Sequence, residues 1–158
     1  MKQPVKALIA FVLTLTALFS LYMVGASAAG IANGKYTVPV ALWHETKNQA
    51  SMDNKGMKQT AKVSVNNGKM TMTIYTKPMT YGNTTAYLYQ MKIKNANGGW
   101  TQGRVVSRDS KGNPTAFSFP LPGKKNYYEV QVHPNVKELG SNYMDARLKV
   151  SWNSLQKA

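Results

Sequence analysis

Apolar and polar residues alternate with a period of two through most of the chain after residue 34. Tyr36, Val38, Val40 and Leu42 share one parity, as do Met70, Met72 and Ile74, and Phe117 and Phe119. In a strand, residues of one parity fall on one face, so this pattern requires half-buried β-strands. Strands are expected over Lys35–Leu42, Lys62–Val65, Lys69–Thr76, Thr84–Ile93, Trp100–Ser107, Thr115–Pro120, Tyr127–His133 and Ala146–Trp152. Strict alternation in the fourth sets Ala86, Leu88 and Gln90 against Tyr87, Tyr89 and Met91. Turn signals separate the runs, among them Asn66-Asn67-Gly68, Asn95 to Gly99 and Asp109 to Pro114, and Lys77 to Asn83 reads as a loop. Pro39 cannot donate to a ladder, so the first strand is expected to lie at an edge or to bulge there. About eight short strands at this spacing fit an all-β, antiparallel sandwich. The one helical candidate, Asn48 to Met57, is short, and no strand alternates with a long helix as a parallel α/β sheet would need.

The N-terminus follows another pattern. Lys2 and Lys6 precede an almost unbroken apolar run, Ala7 to Val24, and Ala26-Ser27-Ala28 supplies small residues at −3 and −1 of a cleavage site. We expect residues 1–28 to be a secretory signal and 29–158 to form a single exported domain. The apolar run is also long enough for an uncleaved anchor, but the well-placed Ala-x-Ala site favours cleavage. The chain has no cysteine, so an exported form must hold itself together by packed sheets. With no sorting motif or second apolar segment at the C-terminus, the expected product is released or retained by charge.

The formal charge is +14, and loss of Lys2 and Lys6 leaves +12. Such a charge favours anionic partners, including an anionic cell wall. The cations are spread from Lys35 to Lys157 and form no compact basic run interleaved with aromatics, so no specific nucleic-acid site is expected. Enzyme chemistry finds little support. The six carboxylates, Glu45, Asp53, Asp109, Glu129, Glu138 and Asp145, make no recognisable acid/base pair in sequence. There is no Gly-x-Ser-x-Gly elbow, cysteine nucleophile or glycine-rich phosphate loop, and His44 and His133 lack the neighbours of a zinc site.

Gly34 to Lys62 reads GKYTVPVALWHETKNQASMDNKGMKQTAK, a strand leading into a short loop with Ser51-Met52 and back into a strand. This segment resembles the opening of the NEAT domain, the haem-handling module of Gram-positive cell surfaces. Ala146-Arg147-Leu148-Lys149-Val150-Ser151-Trp152 resembles that family's last strand. The resemblance covers most of the chain after residue 30. It implies an immunoglobulin-like antiparallel β-sandwich of about eight strands, with one short helical lip covering a bound haem. Ser51 or the Asn54 region would hydrogen-bond a propionate, Met52 would lie over the haem face, and Met57 would complete the lip. Lys55 and Lys58 would steer propionates.

Most haem-binding members begin the last strand with Tyr-x-x-x-Tyr, whose first tyrosine binds ferric iron. If Ala146, Leu148 and Val150 take the family's apolar positions, the tyrosine positions fall on Gly140 and Met144. A slip of one residue puts Tyr143 at the ligand position and Arg147 at the helper's. A slip reverses the faces of a strand, so the two registers exclude one another without a bulge. Tyr143, Met144 and Met52 are the open iron-ligand candidates, and a Met144–Met52 thioether pair would favour ferrous iron. His44, beside the lip, is a further candidate donor.

The resemblance implies a secreted or surface-associated protein that captures haem, passes it to a surface haem receptor or transporter, and catalyses nothing. Two alternatives stay open. One is a NEAT-like module gripping haemoglobin, another haemoprotein or a cell-surface partner without binding haem. The other is a cell-wall or glycan adhesion module, favoured by the charge and the many tyrosines.

Overall fold

The computed structural model describes residues 30–158, so the signal sequence expected at 1–28 lies outside the described residues. Twelve strands follow in order: β1 Gly34–His44, β2 Thr60–Asn66, β3 Lys69–Tyr75, β4 Met79–Tyr81, β5 Thr84–Ala86, β6 Leu88–Lys94, β7 Trp100–Gln102, β8 Arg104–Arg108, β9 Pro114–Pro120, β10 Tyr127–Pro134, β11 Met144–Val150 and β12 Gln156–Lys157. Eight of them have five residues or more, one overlapping each of the eight stretches expected from the sequence. The Asn48–Met57 helical candidate is a single 3-10 turn, Met52–Gly56.

Antiparallel pairing gives the order β7-β6-β10-β11-β1-β2-β3-β9-β8, with β12 also on β1 and β4–β5 a separate hairpin. Two chain segments serve both sheets. β1 pairs β2 through Gly34–Pro39 and β11 through Val40–His44, changing partner at the proline. Pro39 lacks a donor but its carbonyl accepts from Ser151, which ties the corner to the chain after β11. At the opposite corner Gly103 separates β7, paired with β6, from β8, paired with β9. A Cβ there would sit 3.0 Å from the Met91 carbonyl oxygen and from a Phe119 ring carbon, so any larger residue crowds the corner. The result is a sandwich approaching a closed barrel.

Two expected strands are therefore corrected. Trp100–Ser107 is broken at Gly103. Thr84–Ile93 is divided between β5 and β6, and its alternation fails because Leu88 and Met91 are both buried. Opposite them His133 pairs with Gln90 and Pro134 with Leu88, which leaves Tyr89 as the extra residue of a bulge. The last strand begins at Met144, and Trp152 has left it for a 3-10 turn.

The inward residues of both sheets form one core, including Val38, Leu42, Ile74, Phe117, Phe119, Val130 and Leu148. Each such side chain contributes about 1.5–3 kcal/mol by leaving water. Tyr128 is also inside, with its hydroxyl donating to the Gly123 carbonyl at 2.6 Å and accepting from the Lys125 amide at 2.9 Å. This arrangement resembles the tyrosine corner of immunoglobulin-like sandwiches. Burial pushes its phenol up to about 12.

Candidate functional site

At one end of the sandwich the chain leaves β1, crosses in a loop and makes the 3-10 turn. The turn is held by side chains that its sequence supplies. The Ser51 hydroxyl accepts from the Asp53 amide, and the Asn54 amide oxygen accepts from the Leu42 backbone at 2.8 Å and from Gln59 at 3.1 Å. Asn54 thus fastens the turn to β1. Gly56 packs between the β4–β5 hairpin and β6, where a Cβ would be 2.9 Å from the Met79 sulfur and 3.3 Å from Leu88. The preceding loop is tethered by Arg147, whose guanidinium donates to the carbonyls of His44 at 3.0 Å and Lys47 at 2.8 Å.

The turn forms one wall of a partly open cavity of about 160 Å³, smaller than a fully formed small-molecule site. Met52, Asp53 and Lys55 come from the turn, Met79, Tyr81 and Gly82 from the β4–β5 hairpin, and Val136, Leu139 and Met144 from the β10–β11 connection and its exit. The lining is largely apolar, and three of its side chains are thioethers.

Ala146, Leu148 and Val150 are all buried, and Met144, two residues before Ala146, shares their parity. Met144 therefore faces inward opposite Val132 and lines the cavity. Tyr143 lies on the other face of the sheet. Its hydroxyl donates to Gln90, the Lys92 ammonium sits 3.8 Å from its ring centre, and the His133 ring lies 5.6 Å away. The structure thus brings Met52 and Met144 to one cavity and leaves Tyr143 out of it. Ser51 caps the turn and Met57 is fully buried beneath it, so neither is among the cavity-lining residues. His44 Nδ1 accepts from the Thr46 and Lys47 amides, each at 3.2 Å, at the base of the loop. Sequence reading missed Met79, Tyr81, Val136 and Leu139. Met79-x-Tyr81 followed by Gly82-Asn83 carries a hairpin signal that the loop reading of Lys77–Asn83 passed over.

Asp53 is 5 % exposed. Burial pushes its carboxyl up to about 6, against a smaller opposing effect of the hydrogen bond with Ser51. At neutral pH it is an anion in the wall of the cavity.

The iron transport-associated NEAT domain profile matches residues 29–152. The chain belongs to the NEAT family. Two solved NEAT structures share its fold. One is a point mutant of the fifth NEAT domain of IsdX2 in complex with haem, at 17 % identity and TM-score 0.63, covering 77 % of this chain and 97 % of that one. The other is the same domain of IsdX2, a B. anthracis haemophore, in complex with haem, at 16 % identity and TM-score 0.58, covering 76 % and 97 %. Comparison with curated proteins finds no match. The immunoglobulin-like sandwich that the resemblance implied is the fold of this NEAT chain.

Proposed function

We propose that this NEAT domain binds haem in the cavity between the 3-10 turn and the β10–β11 connection, with Met144 as the iron donor and Met52 on the opposite haem face. The observation that carries the reading is that a NEAT chain places two thioethers, from turn and last strand, in one apolar cavity. A haem needs an apolar slot, an axial donor and a polar mouth. Met79, Val136 and Leu139 fit the first requirement, Met144 or Met52 the second and Lys55 the third. Lys55 would attract the propionates, and the Asp53 carboxylate in the cavity wall would disfavour their burial beside it. A neutral sulfur donor favours ferrous over ferric iron, unlike a phenolate. Haem is cargo here. The chain's residues hold and orient it and exclude water, and no covalent step follows. Transfer to a receptor or transporter requires only that a second pocket compete for the axial position. Export through residues 1–28 would place the domain outside the cell or at its surface.

The test is a haem titration of residues 29–158 followed by absorbance, with and without dithionite. Saturable one-to-one binding, tighter for ferrous haem, is expected. Met144→Ala should weaken it at least about tenfold, or about 1.4 kcal/mol, and Tyr143→Phe should leave the spectrum unchanged. A flat titration would overturn the proposal and favour a module that grips a haemoprotein, a reading that Gly140 at the family's first tyrosine position also supports.

A further inference from the structure

The outer face of the half-sheet made by β7, β6, β10, β11 and β1 is remote in chemistry from the cavity. Cross-strand pairing aligns Trp100 with Lys94, Glu129 with Arg147, and Arg147 with Trp43, and Lys94 and Glu129 form an ion pair. A row Trp100–Lys94–Glu129–Arg147–Trp43 therefore crosses five strands, about 19 Å at about 4.8 Å per strand. The Lys94–Glu129 pair is a shared wall between two depressions. One, of about 310 Å³, is bordered by Trp100, Glu45, Asp145 and Arg147. The other, of about 350 Å³, is bordered by Asn95, Lys125 and Tyr127.

The charge of this trough is unlike that of the chain. The whole sequence has 20 Lys and Arg against 6 Asp and Glu. The trough holds three carboxylates, Glu45, Glu129 and Asp145, and three cations, Lys94, Lys125 and Arg147. Half of all the carboxylates are gathered where they neutralise the local field. Arg147 is further engaged by two backbone carbonyls, and Lys94 by Glu129. A polyanion gains little here. Trp100 and Tyr127, at 39 % and 38 % exposed, flank the trough, whereas large exposed aromatics on a sheet face otherwise cost solubility.

Closely spaced acceptors and donors beside exposed rings suit a ligand that is uncharged, rich in hydroxyls and apolar on its flat faces. Hydroxyls donate to carboxylates and accept from Lys and Arg, and the C–H faces of a sugar ring pack on indole and phenol. Two depressions with a common wall suit a ligand of repeating units. We propose that this trough binds an extended, uncharged polysaccharide, independently of the haem cavity.

The probes are β-1,4-linked hexamers of glucose and of N-acetylglucosamine, with polyglycerol phosphate as the polyanion control, titrated calorimetrically into the protein. At least one hexamer should bind, with affinity unchanged between about 0.05 and 0.5 M salt, across which exposed charge interactions are screened. Trp100→Ala with Tyr127→Ala should weaken it at least tenfold, while thermal unfolding and the haem titration stay as in the parent. Both rings are partly exposed, so the fold is expected to survive, and Lys94→Gln gives a second variant that should also weaken binding. The proposal falls if neither hexamer binds, if only polyglycerol phosphate binds and does so less at high salt, or if the variants bind the hexamers like the parent. The haem titration on the same samples separates failure here from failure of the haem reading.

Discussion

Asp53→Asn should stabilise the protein at neutral pH and do nothing in acid. The native fold holds this carboxyl at about 6 against an ordinary value of 3.8. Burial disfavours the ionised form, so the native state binds a proton more readily than the unfolded chain does. Stability attributable to this group is then greatest below pH 3.8 and falls as pH rises from there through about 6. Each tenfold change in proton affinity is worth 1.36 kcal/mol, so the penalty above the upper value reaches about 3 kcal/mol as an upper limit. Asparagine has the same shape, keeps an oxygen for Ser51 and never ionises. Denaturant unfolding of both proteins, followed by tryptophan fluorescence across the acid-to-neutral range, isolates the group because every other titration cancels in the difference. The difference should be near zero at about pH 3.5, rise through the window, and level off at about 1–3 kcal/mol by about pH 7.5. A difference that is flat with pH, or that favours aspartate at neutral pH, would refute the burial argument.

Gly103→Ala should destabilise by about 1–3 kcal/mol, because its Cβ meets backbone and ring at the sheet corner, and a lower denaturation midpoint would show it. Tyr128→Phe leaves the Lys125 amide without its hydroxyl acceptor and should cost about 1–3 kcal/mol in the same assay. Arg147→Lys loses the planar fork that holds the His44 and Lys47 carbonyls. Hydrogen exchange at Gln49 and Ser51 should quicken while global stability changes by less than about 1.5 kcal/mol, and unchanged exchange would remove the tether from the account.

The candidate site was partly legible. Met52 could be named because Ser51-Met52 sits in a loop between two strands, and Met144 because it keeps the parity of Ala146, Leu148 and Val150. The ligand candidate Tyr143 could not be separated from Met144 on sequence alone, since one residue of register exchanges their faces. The trough was invisible for another reason. Its charges come from segments far apart in the chain, and Glu45, Lys94, Glu129 and Asp145 become neighbours only through pairing across the sheet.

What the sequence determined by itself was local: period-two alternation, turn chemistry and the strands between them, because backbone geometry sends successive side chains to opposite faces whatever lies beyond. The same locality located the lip, where Ser51 and Asn54 supply its hydrogen bonds within a few residues. The tertiary structure alone decided where alternation breaks. Tyr89 bulges because β10 sets the register of β6, and Gly103 interrupts a strand because two sheets converge on Met91 and Phe119. It also decided that Asp53 is buried and that Met79 and Tyr81 share a cavity with Met144. Those are contacts between segments far apart in the chain, and no local pattern encodes which of them meet.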